Sequence, residues 1–226
     1  MLNALKKLIK DEDPLSPMIM EFNFQPARYA APDRVSGLIE APLFEKLRRS
    51  PRAERRLSAW MLGELGLDGQ YWFDFTEEHR RIALMDGRTL IDLVFFAGAA
   101  VNARWISRVI DKERSAALRR NLGDRVLGFA LKRAPLLLGD SEFSDAPPDE
   151  LTEVKAHVEA AGKRCLEACF AGEPAALTRR LLLKFPTCVS LTFDRAASPE
   201  EKAAAGRVIR KIACSEGSPV WTASVS

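Results

Sequence analysis

Hydrophobic residues concentrate most strongly in the middle of the chain, in the stretch LIDLVFFAGAAVNARW. The uninterrupted apolar run covers only Leu93–Val101, and Arg88 and Arg104 stand on either side of it. A membrane-spanning helix needs about 20 apolar residues, so this run is too short to cross a bilayer. The pattern predicts a buried central helix over roughly residues 87–110. Gly98 would let another helix approach it closely.

Helix-boundary signals recur along the rest of the chain. Ser50 precedes Pro51 at one predicted helix start, and Asp111 precedes another predicted helix that ends before Gly123. Ser198 begins a capping box at the last predicted helix. The segment TCVSLTF is predicted to be a short strand or an extended connector. These patterns together predict a mainly α fold of about eight helices with at most one short extended segment.

Prolines interrupt the amino-terminal part of the chain, from Asp11 to Pro42. Their spacing leaves room only for short helical turns and extended pieces. The same part is rich in aromatic residues, so we expect it to wrap along the helical body rather than to form a free linker. We predict an N-terminal arm over residues 1–20, at the start of this proline-rich, aromatic part, and the order of that arm is left open. We predict a single compact helical domain over residues 21–226.

The charge balance limits the classes of partner. The 226 residues include 34 Lys+Arg and 31 Asp+Glu, for a net charge of +3. A nucleic-acid coat would carry a more concentrated basic excess, so this balance argues against one. The opening MLNALKKLIK is followed at once by DEDP, without the long apolar region of a signal peptide. We therefore predict a cytoplasmic protein without direct membrane insertion.

Candidate catalytic residues are few. Neither His79 nor His157 lies beside a nucleophile motif such as GxSxG, so both are predicted to be solvated surface residues. Paired carboxylates occur at predicted helix starts, where the helix dipole already accounts for them. We predict no catalytic residue, no cofactor, no metal site and no small-molecule substrate, and hence not an enzyme. A copurified chromophore or metal would instead indicate an unrecognised helical enzyme.

The four cysteines are Cys165, Cys169, Cys188 and Cys214, and they form no CxxC pair. A chain of this length does not need disulfides to fold. We therefore expect all four to be small apolar packing residues in a reducing compartment.

Basic residues cluster on consecutive predicted helices in the middle of the chain. We define the basic face as Arg104, Arg108, Lys112, Arg119 and Arg120. Such a face can meet an acidic protein surface, phosphate groups or only water, and the sequence leaves these alternatives open. The hypothesis carried forward is that the basic face contacts an acidic partner surface, where charge complementarity sets specificity and on-rate.

A second class of function is indicated by the stretch KERSAALRRNLGDRVLGFALKRA, near residues 112–134. Gly123 separates two short predicted helices here, as in a helix-turn-helix. A helical nucleic-acid-binding regulator is therefore an alternative. Its second helix presents Val126, Leu127 and Phe129, which leaves few polar side chains to read base edges.

Three passages, in their order and spacing, resemble one family. The first is FNFQPARYAAPDRV, with an aromatic–Pro–x–x–Tyr pattern. The second, RIALMDGRTLIDLVFFAGAAVNARWISRVI, has a short hydrophobic piece, a Leu-rich helix with a mid-helix glycine, and an isoleucine-bearing turn. The third is LLLKFP, followed by EEKAAAGRVIRKIA. With these passages the chain resembles the SctK/YscK proteins of the bacterial type III secretion sorting platform.

The resemblance implies a mainly helical, non-enzymatic adaptor on the cytoplasmic side of the injectisome, peripheral to the inner membrane. It also implies two direct partners. One is the cytoplasmic domain of the inner-membrane ring protein SctD, and the other is SctQ, which builds the pods. SctL and the ATPase would be reached indirectly through SctQ.

Four residues match positions of the family pattern. Phe22, Pro26 and Tyr29 match the amino-terminal pattern, and Gly98 matches the mid-helix glycine. The resemblance implies that they are structural anchors: the aromatic residues hold the wrapped segment and Gly98 makes a helix contact. The chain departs from the family in its extra amino-terminal segment and in a fuller acidic loop, Gly139–Glu150. The surfaces facing SctD and SctQ are therefore unassigned by the resemblance.

Overall fold

The protein is described by a computed structural model that covers residues 14–138, 147–148 and 150–216. These residues contain α-helices and short 3-10 turns but no strand, which confirms the mainly α prediction. The helices are α1 Ser16–Phe24, α2 Pro26–Tyr29, α3 Ala41–Arg48, α4 Pro51–Glu64, α5 Glu78–Arg81, α6 Gly87–Val101, α7 Ala103–Ile106, α8 Lys112–Lys132, α9 Ala134–Leu138, α10 Val154–Cys169, α11 Ala175–Leu183 and α12 Pro199–Glu216. None of these helices is long and apolar enough to cross a membrane.

The described residues fall into two compact units, each built from two separate stretches of the chain. The first unit contains residues 14–90 and 173–191, and the second contains residues 91–172 and 192–216, apart from those outside the described ranges. The single domain over residues 21–226 stays a prediction.

The proline-rich amino-terminal part forms short helices rather than a free linker. Pro26 starts α2, where its missing N–H group costs nothing. Leu15 and Ile19 are buried, so the end of the predicted arm already contributes to the core of the first unit. Residues 1–13, which make up most of that arm, lie outside the described residues.

The predicted central helix over residues 87–110 is shorter in the structure, because α6 ends at Val101 and α7 ends at Ile106. The break lies at Asn102. Its side-chain amide donates to the Gly98 carbonyl at 2.8 Å, and its backbone N–H donates to the same oxygen at 3.1 Å. A side chain that shares a backbone acceptor in this way competes with the helical ladder. Sequence periodicity carries no sign of such competition.

Three predicted local features are present in the second unit. The Asp111 side chain accepts a hydrogen bond from the Arg114 backbone N–H at 2.8 Å, which caps α8. Gly123 has φ 76° and ψ 160°, a conformation that other residues rarely adopt, so it divides α8 into two helical halves. Ser198 likewise accepts from the Glu201 N–H at 3.1 Å, as the capping box predicts. The segment TCVSLTF forms neither helix nor strand. It begins with a turn, in which the Val189 N–H donates to the Pro186 carbonyl at 2.9 Å, so the prediction of a strand or an extended connector was wrong for its first residues.

Candidate protein-binding surfaces

A buried hydrogen-bond cluster in the second unit holds α7, which carries the first residue of the basic face. Trp105 Nε1 donates to Asn102 Oδ1 at 2.5 Å, and His157 Nε2 lies 3.1 Å from the same oxygen. Asn102 is fully buried, so each of these bonds replaces one that water would otherwise make. His157 is therefore part of an internal network, and the prediction of a solvated surface position was wrong for it.

All five residues of the basic face are exposed and belong to the second unit. Arg119 forms an ion pair with Asp124 at 2.9 Å. The other four make no side-chain hydrogen bond or ion pair with any residue in the described ranges. On α8, Lys112 and Arg119 are seven residues apart and share one side of the helix, whereas Arg120 lies to the side of them. The structure thus leaves most of this positive charge available to a partner.

An isoleucine stands within the same surface. Ile110 lies in the turn between α7 and α8, and 91% of its surface is exposed. Arg108 and Lys112 of the basic face stand two positions before and two positions after it in the chain. An exposed apolar side chain among cations is a common composition at protein interfaces. In the sequence this isoleucine stands out only as part of a family pattern, because the spacing of apolar residues does not show that this one is exposed.

Gly98 lies where α6 meets α10 in the second unit. A Cβ atom on Gly98 would overlap the carbonyl oxygen of Val158, and one on Gly162 would overlap the carbonyl oxygen of Val94. The two glycines therefore face each other, and their missing side chains let the two backbones come together.

Phe22 and Tyr29 pack against each other in the first unit, and Pro26 is buried near them in the chain. The rings of Phe22 and Tyr29 are stacked with their centroids 6.0 Å apart, and the Tyr29 hydroxyl donates to the Phe22 carbonyl at 2.8 Å. Phe75 meets Phe22 edge-on at 5.7 Å. Pro26 is buried at the start of α2. The contacts between Phe22 and Tyr29 hold α1 against α2. Burial raises the pKa of the Tyr29 hydroxyl.

A buried lysine lies against the same two rings. Lys184 Nζ is 5.3 Å from the centroid of Phe22 and 5.0 Å from that of Tyr29, and it donates to the Met85 carbonyl at 2.7 Å. Burial lowers the pKa of Lys184 to about 7, although the carboxylates of Glu21 and Asp86 act in the opposite direction. The ring faces also favour the cation. The pattern LLLKFP gives no sign that its lysine is buried, so the environment of Lys184 could not be predicted from the sequence.

Arg180 is the second buried cation of the first unit. It is fully buried and donates to backbone carbonyls of Leu67 at 3.1 Å, Gln70 at 2.5 Å and Ala176 at 3.0 Å. Its Nε has no hydrogen-bond acceptor in the described residues. Burial lowers the pKa of its guanidinium. The side chain holds the loop after α4 through that loop's carbonyl groups, which is a structural role.

His79 belongs to an ion-pair cluster rather than to the solvated surface, so that prediction was wrong too. Its Nε2 lies 2.9 Å from Glu173 Oε1, and Arg80 Nε donates to the other oxygen of Glu173 at 2.8 Å. The Arg80 guanidinium also lies over the Trp72 ring, 5.3 Å from its centroid. Glu173 is far from the others in sequence, which is why the pattern TEEHRR alone did not show the cluster. The cluster joins α5 to Glu173, two residues before α11, in the first unit.

The cysteines differ in their environments. Cys165 and Cys169 are buried on α10, as expected for packing residues, whereas Cys188 and Cys214 are exposed, so the packing prediction was wrong for these two. All four remain thiols. Within the described ranges, no group of three His, Cys, Asp or Glu side chains is placed to hold a metal ion.

These features define a class: an all-helical protein whose charged and apolar surfaces suit protein contacts. The family described as YOP proteins translocation protein K (YscK) matches residues 18–216. The chain therefore belongs to the YscK family, which confirms the resemblance found in the sequence.

A solved structure shows the same fold. It is the cytoplasmic domain of PscK, a T3SS sorting platform protein from P. aeruginosa. The two chains are 22% identical, with a TM-score of 0.51, over 87% of this chain and 92% of PscK. A comparison with curated proteins found no match.

Proposed function

We propose that this protein is a non-enzymatic adaptor of a type III secretion sorting platform. It would connect the cytoplasmic domain of the ring protein SctD to SctQ, and through SctQ to SctL and the ATPase. Membership of the YscK family and the fold shared with the sorting-platform protein PscK support this proposal. The adaptor would work in the cytoplasm, peripheral to the inner membrane.

Membership of the YscK family carries the proposal, and the exposed basic face supplies a candidate surface for one of the two partners. Arg104, Arg108, Lys112 and Arg120 make no side-chain ion pair within the described ranges, so their charges are not already compensated. A partner surface rich in Asp and Glu would gain Coulomb attraction without breaking existing pairs. Because these side chains are solvated, their main effect is on the association rate and on partner choice.

The nucleic-acid-binding alternative receives no support from α8. Leu127, Phe129 and Ala130, in its second half, are buried in the second unit, and Val126 is half-buried. The exposed side chains of this half are Asp124, Arg125, Leu131 and Lys132. Asp124 and Arg125 are already paired, with Arg119 at 2.9 Å and with Asp92 at 3.0 Å, so this side offers few free polar groups to base edges. Sequence-specific readout needs polar side chains on that side.

A pull-down with purified components tests the adaptor proposal. The full chain is incubated with the cytoplasmic domain of the SctD homologue and, separately, with the SctQ homologue, each at two salt concentrations. We expect both to be retained, and less of each at the higher concentration because salt screens exposed charges. Retention of neither partner by folded protein would overturn the proposal.

A charge-reversed variant tests the basic face itself. Arg108→Glu/Arg119→Glu/Arg120→Glu is expected to lose at least one of the two partners. The triple variant Lys132→Glu/Lys155→Glu/Arg207→Glu is the matched control, since it changes the net charge equally at other exposed positions of the second unit. Unchanged binding to both homologues by the first variant would remove the basic face from the proposal, while the adaptor role would stand.

A further inference from the structure

The first unit carries an open groove between α3 and α4. Its volume is about 510 Å³. The apolar part of the lining comes from Ile39, Leu47, Leu57 and Trp60, and Arg52 and Arg56 complete the rim. The groove lies in the first unit, so it shares no residue with the basic face of the second.

The floor of the groove is an extension of the core of the first unit. Leu57 is buried with Phe44 and Met61, and Ile39 and Leu47 pack against that cluster. Trp60 stands at the side with 41% of its surface exposed. A rigid, preformed apolar floor beside a partly exposed tryptophan is the composition of an interface hot spot, because the indole loses little conformational entropy when a partner covers it.

The rim of the groove is positively charged. Arg52 and Arg56 are exposed, lie four residues apart on one face of α4, and make no side-chain hydrogen bond or ion pair within the described ranges. Glu54 lies between them in the sequence, but it is buried. Its carboxylate accepts hydrogen bonds from Arg28 Nε at 3.2 Å and Ser58 Oγ at 2.9 Å and not from either rim arginine. The lining contains no acidic side chain that could neutralise the two arginines.

We propose that this groove binds an acidic amphipathic helix of a partner protein. Apolar side chains at a spacing of three and four residues would enter the groove against Leu57 and Trp60. Carboxylates four residues apart on the same helix would pair with Arg52 and Arg56, which have the same spacing. The two requirements come from separate features of the site: the floor demands apolar anchors, and the uncompensated rim selects negative charge over positive.

The proposal concerns a second surface and does not depend on the partners named for the adaptor. A basic amphipathic helix would bury the same apolar area but would place cations beside Arg52 and Arg56, which is repulsive. If a second copy of this chain bound through the same groove, Arg52 and Arg56 of one copy would lie beside the same arginines of the other, and the like charges would repel. Charge therefore distinguishes the proposed occupant from these others.

Fluorescence anisotropy of a labelled synthetic peptide tests the groove in the full chain. The probe is a helical peptide of about 18 residues, with leucines at helical spacing and glutamates beside them. Replacing its glutamates by lysines gives the matched control probe. We expect the glutamate peptide to bind and the lysine peptide to bind at least about tenfold more weakly.

Variants of the protein locate the binding site. Arg52→Glu/Arg56→Glu is expected to weaken binding of the glutamate peptide about tenfold or more. Trp60→Ala is expected to weaken it about thirtyfold, as for an interface anchor. Lys46→Glu/Arg55→Glu is the matched control, since it changes the net charge equally at exposed positions of α3 and α4 that do not line the groove. The charge variants alter only exposed side chains, so circular dichroism should show them folded.

Several results would overturn the proposal. One is the absence of glutamate-peptide binding, and another is equal binding of the two peptides. A third is an effect of Lys46→Glu/Arg55→Glu as large as that of Arg52→Glu/Arg56→Glu, which would indicate general attraction by the positive charge of α3 and α4. A fourth is a dimer, seen by sedimentation, that Trp60→Ala dissociates, which would make the groove a contact between copies. None of these results bears on retention by the SctD and SctQ homologues, so the two proposals fail separately.

Discussion

Lys184 shows how a single residue can oppose stability while organising its surroundings. Its amine is buried against Phe22 and Tyr29 and donates to the Met85 carbonyl. Burial penalises the charged form, so the pKa falls to about 7. The aliphatic part of the side chain and the hydrogen bond explain why a lysine can occupy this position at all.

The pH dependence of stability should reveal this buried amine. In the unfolded chain a lysine titrates near pH 10.4, so between about pH 7 and that value the unfolded state holds a proton that the folded state lacks. Raising the pH across this window therefore favours the folded wild type. The free energy of unfolding of the wild type minus that of Lys184→Met should grow by about 2 kcal/mol from about pH 7 to about pH 9.

Urea denaturation at a series of pH values gives this difference directly. Lys46→Met, which removes an exposed lysine of the same unit, controls for the change in net charge. A difference for Lys184→Met that stays flat or shrinks with rising pH would show that the amine remains charged in the folded state. The ring faces of Phe22 and Tyr29 would then outweigh desolvation.

At the scale of elements, the crossing of α6 and α10 depends on two glycines. Gly98 and Gly162 face each other with no room for a Cβ on either. The obstacle in each case is backbone, the Val158 or Val94 carbonyl, which cannot rotate away as a side chain could. Close helix approach of this kind requires the smallest residue on both helices.

Gly98→Ala should therefore destabilise the protein by about 3 kcal/mol, because the added methyl group must push two helices apart. Gly206→Ala is the matched control, since Gly206 lies on α12 and a Cβ atom there would meet no atom of another element within 4 Å. Alanine there should be neutral or should stabilise by up to about 1 kcal/mol through helix propensity. Thermal and urea unfolding of both variants measures the contrast, and equal stabilities would contradict the close approach of α6 and α10.

At the scale of the whole molecule, neither unit corresponds to one continuous piece of chain. The first unit takes residues 173–191 from far along the sequence. That stretch contains α11, with the buried residues Leu177, Leu181 and Leu183, and the buried cations Arg180 and Lys184. The core of the first unit is thus incomplete without a segment that follows it by more than eighty residues in the sequence.

A fragment of residues 1–90 should therefore fail to unfold cooperatively. It lacks the apolar side chains of α11, and the loop carbonyls that Arg180 satisfies would lose their donor. Joining residues 14–90 to 173–191 by a flexible Gly/Ser linker should restore a cooperative transition. Circular dichroism during heating measures both, and a cooperative transition in the 1–90 fragment would show that α11 is dispensable for this unit.

Much of the fold could be predicted from local patterns, since helix starts depend on residues next to one another. The caps at Asp111 and Ser198 and the break at Gly123 follow from side chains and backbone preferences within a few positions. Helix length was harder to predict. Asn102 ends α6 early by bonding to the Gly98 carbonyl, and this choice depends on Trp105 and His157, which engage the same side chain.

The surfaces were only partly predictable for the same reason. The basic face could be proposed because its residues recur on neighbouring helices, and all five are exposed. The groove at Trp60 was missed, because the spacing of apolar residues does not show which of them stay partly exposed. His79 was placed on the surface, whereas Glu173 binds it from a distant part of the chain.

The sequence by itself determined that the chain is helical, where most helices begin, that α8 breaks at Gly123, and which family the chain resembles. These depend on interactions between close neighbours and on composition, which the order of residues specifies directly. Only the tertiary structure decided that Lys184 and Arg180 are buried, that Gly98 meets Gly162, and that Trp60 borders a groove with two uncompensated arginines. Burial and pairing depend on segments that are distant along the chain and meet only when the core forms.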